Sequence, residues 1–201
     1  MLSLEVLVPI LTAIIGVGGT LVAIWLKHYL NANKEKNDCI IDRTVKEDTE
    51  IITRLEEIKG EVDADRISIF SFHNGGEYYS GKSMQKLSCS YEVVNPGVSR
   101  TQLLAQNIPV SACLGTLQSL MENKEFHCTD VENNYPESAC KYQLLDSGVK
   151  STYQYAIFNL ERKAIGILRA DFVSDTNELT ELEEKTLKYS AIKLSGYLLS
   201  K

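Results

Sequence analysis

The sequence predicts an α+β domain carried behind one N-terminal transmembrane helix and a helical stalk. Three observations lead there. No charged residue occurs from Val6 to Leu26, residues 31–61 then turn strongly charged without a proline, and from Asp65 onward β-branched runs alternate with helix-patterned segments. The 201 residues leave one domain of ordinary size once an anchor is set aside. The expected divisions are an anchor over 1–30, a charged helical connector over 31–61 and a folded domain over 62–201.

The anchor rests on length. At 1.5 Å per residue the uncharged run makes a helix about 30 Å long, the thickness of a hydrocarbon core. Lys27 and His28 close it, and Trp25 and Tyr29 sit where interfacial aromatics are favoured. A cleaved signal peptide would carry a basic leading region, and only Met1 to Glu5 precede this run. Lys27, Lys34, Lys36, Arg43 and Lys46 follow it, so the positive-inside rule puts the N-terminus outside and the domain in the cytosol. The expected location is the cell (inner) membrane, crossed once. Thr12, Gly16 and Thr20 recur every four residues, with Gly19 and Ala23 repeating the step, and small residues on one stripe let two membrane helices approach.

In the connector, Asp42/Lys46 and Glu50/Arg54 place acid four residues before base, which supports a helix. Ile41, Val45, Ile52, Leu55 and Val62 form a coiled-coil-like seam, with Ile51 and Ile58 alongside. Two helices could bury that seam in a dimer, or one helix could lie on its own domain. Gly60 interrupts the pattern.

Ile67 to Phe72 is apolar on both alternating faces, as in a central strand covered on two sides. His73-Asn74-Gly75-Gly76 is a turn signal, and a second extended run covers Leu87 to Val94. Pro109 to Asn123 reads as a helix with proline in its first turn. Glu137 to Asp146 is another, with Gly148 just past its end. Thr152 to Phe158 and Ala164 to Phe172 make a hairpin around Glu161-Arg162. Thr180 and Glu183 then cap a helix that presents Leu187, Ala191, Leu194 and Leu198 on one side.

Composition narrows the function classes. A net charge of −6, with no basic run interleaved by aromatics, argues against nucleic acid. Five cysteines at irregular spacing are expected to be free thiols in a reducing compartment. His127 and Cys128 are adjacent rather than paired at ligand spacing, so no metal or other cofactor is expected. Neither Cys140 nor Cys89 has a base partner that the sequence nominates, so no catalytic residue and no enzyme activity are expected.

The order of elements resembles that of GAF domains. The segments that carry the likeness are Ala64 to Phe70, Leu144 to Ser151 around Gly148-Val149, the strand Ala164-Ile165-Gly166-Ile167-Leu168, and the capped last helix. It covers about residues 50–200. The resemblance implies an antiparallel sheet with helices on one face and a small-molecule pocket on the other, and dimers formed through the first and last helices. Family ligands include cyclic nucleotides and bilins. The phenylalanine-aspartate-glutamate signature of cyclic-nucleotide members is absent, and Cys140 is followed by Lys141 where bilin-binding members have a Cys-His pair. The loop Phe72 to Tyr79, with Tyr91-Glu92, is similar to that of small GAF-like proteins of phages and bacteria. With Lys201 last, no kinase, cyclase or DNA-binding output segment is expected to follow.

The candidate ligand site is built on His73 and Asn74 at the end of the central strand. Phe72, Tyr78, Tyr79 and Tyr91 supply aromatic walls and Arg169 a charge. The competing reading is a structural loop in which His73 or Asn74 bonds backbone groups. Arg169 and Asp171 share a strand face from which Glu92 or Lys86 is within reach. The function expected is a membrane-tethered sensory module, a homodimer that takes a cytosolic small molecule or a partner protein. The alternative is a scaffold whose pocket is filled by Phe72, Tyr78, Tyr91 and Tyr155.

Overall fold

The computed structural model describes the backbone of residues 4–199 and the side chains of residues 19–31 and 40–199. The chain divides into two compact units, residues 1–48 and 49–201. In the first unit the backbone is helical from Leu4, within α1 (Leu4–Glu61). No helix among the described residues is long and apolar enough to cross a membrane. Among the described residues no transmembrane span is therefore found. Most of the expected one, residues 6–18 of Val6–Leu26, lies outside the described side chains. Ile41 and Val45 of the anticipated seam are exposed.

The second unit begins inside the last turns of α1. Here Ile51, Leu55, Ile58 and Val62 recur at helical spacing and are fully buried. The seam therefore splits, with Leu55 and Val62 turned into the domain and Ile52 left outside. Of the two arrangements open to the sequence, residues 51–62 take the helix lying on its own domain. The helix ends where Asp63 enters left-handed backbone (φ 50°), and Ala64 N–H donates back to Lys59 O.

Six strands form one antiparallel sheet: β1 (Arg66–Glu77), β2 (Ser83–Val94), β3 (Ile108–Pro109), β4 (Glu125–Cys128), β5 (Ser151–Phe158) and β6 (Ala164–Phe172). Their order is β3-β2-β1-β6-β5-β4, so β1 is central, as its two apolar faces require. Odd positions of β1 (Ile67, Ile69), with Leu168, Ala170 and Phe172 of β6 and Tyr153, Tyr155 and Ile157 of β5, face α1 and α5 (Glu181–Leu199). Leu187, Ala191 and Leu194 of α5 close that layer, and the Thr180–Glu183 box caps the helix, Glu183 Oε2 accepting from Thr180 N at 2.7 Å. The opposite sheet face carries Phe70, Leu87, Cys89, Ala156 and Ile167 under a 3₁₀ turn (Val110–Cys113) and α2 (Leu114–Asn123). Beside them lie α3 (Val131–Asn134) and α4 (Ala139–Asp146), the latter capped by Ser138.

Two local expectations are corrected. His73-Asn74-Gly75-Gly76 is not the turn: β1 runs through it to Glu77, with a register irregularity between Asn74 and Glu77. The chain reverses at Tyr78–Lys82, where Gly81 (φ +75°) supplies the left-handed residue. Pairing with β2 overrides the local turn signal. Likewise the helix expected from Pro109 starts at Leu114, because Ile108 and Pro109 pair with Leu87 and Lys86 as an edge strand.

The hairpin forms as the alternation requires, and its second strand lies close to β1. A Cβ on Gly166 would sit 2.5 Å from the Phe70 carbonyl oxygen, so only glycine fits.

Candidate functional site

The polar face of the central strands is not solvated. Arg66, Glu92 and Asp171 are each fully buried and form one ionic network between β1, β2 and β6. Arg66 Nε lies 3.4 Å from Glu92 Oε1 and Nη1 3.2 Å from Asp171 Oδ2, while Nη2 donates to Ser99 O at 2.7 Å. Glu92 also accepts from Thr101 N–H and Oγ1–H and from Gln102 N–H, which pins the loop after β2. Asp171 accepts from Thr152 Oγ1 at 2.8 Å and pairs with Arg169 Nε at 3.0 Å. Strand alternation brings these residues to one face, and burial without partners would be prohibitive. The strand face shared by Arg169 and Asp171, with Glu92 within reach, is therefore a core network. Two cations meet two carboxylates.

Arg169 also reaches beyond the network. Its guanidinium stacks 4.5 Å over the Phe70 ring and borders a cavity of about 30 Å³ between the sheet and α2 and α4. Gln154 from β5, Thr116 from α2, Tyr135, and Gln143 and Leu144 from α4 complete the polar wall and the lid. Two buried atoms in this wall lack an aligned hydrogen-bond partner: Arg169 Nε and Thr116 Oγ1. The Tyr135 hydroxyl accepts a long hydrogen bond from Gln154 Nε2 (3.4 Å). Burial raises its pKa, against smaller lowering effects of Thr116 and Gln154. The space holds about one water molecule as it stands, well below the few hundred Å³ of a ligand pocket. Outside the lid, an open groove of about 650 Å³ runs between α4 and the 99–104 loop, with Gln143 on its wall too.

Of the candidate ligand residues read from the sequence, Arg169 alone lines this cavity. Phe72 packs at the rim of the same apolar cluster. His73 and Asn74 lie further along β1. His73 Nε2 is 2.9 Å from Ser88 Oγ, and Asn74 Oδ1 accepts from Gly76 N and Ser83 Oγ. Tyr78 and Tyr79 are exposed at the hairpin tip. Tyr91 packs on the opposite sheet face, against the α1/α5 core. Tyr155 is on that face too, so the filling of the cavity comes from Phe70 and Leu87 rather than from the tyrosines expected. Sequence reasoning followed the glycine-rich run. The signal it passed over is Gln154, a lone amide between tyrosines on a buried strand.

Cysteine usage also differs from the free thiols expected. Cys113 and Cys140 are joined as a disulfide, with Cα atoms 5.5 Å apart, and both line the cavity. Cys89 and Cys128 are free and buried. Burial pushes the Cys89 thiol up to about 12 and raises that of Cys128. Cys39 lies outside the described side chains. Among the described residues no cluster of three or more His, Cys, Asp or Glu could hold a metal ion.

Solved structures place this architecture. A far-red cyanobacteriochrome photoreceptor superposes with a TM-score of 0.61 at 16% identity, over 84% of this chain and 97% of its own. The PixJ GAF domain of Thermosynechococcus elongatus, in its blue-light absorbing form, gives 0.57 at 13%, over 76% and 87%. A phycocyanobilin-bound GAF domain from a cyanobacterial phytochrome gives 0.58 at 18%, over 80% and 91%. The fold is GAF-like. No family model matches the sequence, and no curated protein does. The GAF-like domain thus shares its backbone with these photoreceptors at identities where the fold alone is shared.

Proposed function

We propose that the chain is a sensory GAF-like module that takes a small cytosolic molecule beneath α4 and is tethered to a membrane as a homodimer. The observation that carries the ligand reading is the polar wall of the cavity. The buried Thr116 hydroxyl has no aligned hydrogen-bond partner and costs stability unless something pairs with it, while the Arg169 guanidinium, whose Nε pairs with Asp171, borders the same space. A ligand that accepts hydrogen bonds would pair with the hydroxyl and lie beside the guanidinium, and it needs α4 to move, since about 30 Å³ is too small for it. Bilin attachment has less support: Lys141 follows Cys140, whose sulfur is held by Cys113.

The tether rests on the uncharged run Val6–Leu26 and the basic residues after it. The dimer has support from α5, where Leu182, Tyr189, Ile192 and Leu199 are exposed at helical spacing on its outer side. Coupling from the cavity to the stalk would require a ligand to favour one stalk state over another. The small cavity favours a second reading, a scaffold without ligand.

The test is native mass spectrometry of the full chain from lipid nanodiscs, with an Arg169→Met/Thr116→Val variant beside it. A dimer with a discrete adduct that the variant loses supports the sensor. A dimer without adduct in both, across a metabolite panel, supports the scaffold, and a monomer removes the coupling mechanism.

A further inference from the structure

The Cys113–Cys140 pair joins two segments that are separate in sequence. Cys113 ends the 3₁₀ turn and begins α2, while Cys140 sits in the first turn of α4. Their Cα separation of 5.5 Å lies within the span that a disulfide bridges without backbone movement. The two residues differ in access: Cys113 is buried, whereas Cys140 is half-buried. The first turn of α4 lies at the positive end of the helix dipole, which also favours negative charge on sulfur. Cys89 and Cys128 are deep and held as thiols by burial. Cys113 is as deep as these two, so what sets the pair apart is its partly exposed member, Cys140.

From this we infer that Cys113 and Cys140 are a reversible dithiol–disulfide site that bolts α4 over the cavity. The Cys140 thiolate attacks one sulfur of glutathione disulfide, and one glutathione leaves as thiolate. Cys113 loses its proton to solvent and attacks the Cys140 sulfur of the mixed disulfide, expelling a second glutathione. Two electrons pass from the protein dithiol to glutathione disulfide, and excess glutathione reverses both steps.

The consequence follows from what α4 carries. Gln143 and Leu144 line the cavity, and Gln143 also lines the outer groove. Besides the bolt, the first turn is tied by the Ser138 cap on Lys141 N–H and the exposed Lys141–Glu137 pair. Reduction leaves the first turn of α4 on these ties while Leu144 and Leu145 hold the rest of the helix, so the wall between groove and cavity loosens at that end. The inference concerns the sulfurs and the lid, and it stands whether or not the cavity takes a ligand.

The experiment equilibrates the full chain, in detergent micelles, across glutathione buffers from reducing to oxidising. Acid quench, alkylation in denaturant and peptide mass spectrometry then read each cysteine. Cys113 and Cys140 should convert together from two alkylated thiols to one linked peptide pair, with Cys89 and Cys128 alkylated throughout. Amide hydrogen exchange over residues 139–146 should be about ten-fold faster in the reduced protein. Cys113→Ser and Cys140→Ser should each show the fast rate in every buffer. Alkylation of the pair at the oxidising end, or linkage that survives the reducing end, overturns reversibility. Equal exchange in the two forms overturns the bolt. Neither outcome touches the adduct measurement, so the two proposals fail separately.

Discussion

Asp171→Ala tests the buried network. Asp171 accepts from Thr152 Oγ1 at 2.8 Å and pairs with Arg66 Nη1 at 3.2 Å and Arg169 Nε at 3.0 Å. Its removal leaves Arg66, whose side chain has no solvent exposure, with Glu92 as its only carboxylate. Breaking a buried pair in this way costs about 3–5 kcal/mol, because the stranded charge keeps its desolvation penalty. With an urea m-value of about 2 kcal/mol/M, the unfolding midpoint should fall by about 1.5–2.5 M. Asp171→Asn keeps the shape and the Thr152 bond, so it should fall less. Arg66→Met combined with Asp171→Leu should cost at least about 1 kcal/mol less than the sum of the singles, since the pair then leaves together. Circular dichroism at increasing urea reads all five variants, the two singles Arg66→Met and Asp171→Leu included. A midpoint loss under about 0.5 M for Asp171→Ala, or additive singles, would refute the argument that the network is desolvated and mutually dependent.

Two further outcomes follow from particular contacts. Asp65 accepts from Val173 N, Ser174 N, Ser174 Oγ and Asn95 Nδ2. Burial raises its pKa, but these hydrogen bonds outweigh it and leave it below 3.8. A lowered carboxyl contributes stability above its unfolded pKa and loses it as pH falls through the folded one. The stability gap between wild type and Asp65→Asn should therefore be flat from neutral pH to about 5 and shrink below about 4; a gap unchanged at pH 2 would count against the hydrogen-bond account. Gly166→Ala must push β6 off the Phe70 carbonyl. It should destabilise by about 1–3 kcal/mol and lower Tm by several degrees, and an unchanged melting curve would mean that the strands can part freely.

Where the sequence was readable, periodicity made it so. Leu187, Ala191 and Leu194 are spaced for a helix face, and Thr180/Glu183 is a cap whose partners lie within one turn. The hairpin alternation needs no distant information either. Misreadings came where distant partners outvoted local signals. His73 and Asn74 stay in β1 through pairing with β2, and Pro109 is drawn into an edge strand by Lys86. Nor could the site be read. Thr116, Tyr135, Gln143, Gln154 and Arg169 come from five separate segments, and none forms a motif with another.

By itself the sequence determined an α+β chain, its central strand, its closing hairpin and its capped last helix, because each follows from spacings of two or about 3.6 residues. Only the tertiary structure decided what depends on neighbours far apart in the chain. It turned residues 51–62 onto their own domain, buried the Arg66–Glu92–Asp171 network and joined Cys113 to Cys140. It also brought Thr116, Tyr135, Gln143, Gln154 and Arg169 around the space beneath α4. The physical reason is range: backbone periodicity is written over a few residues, while desolvation and contact are set by whatever the fold brings alongside.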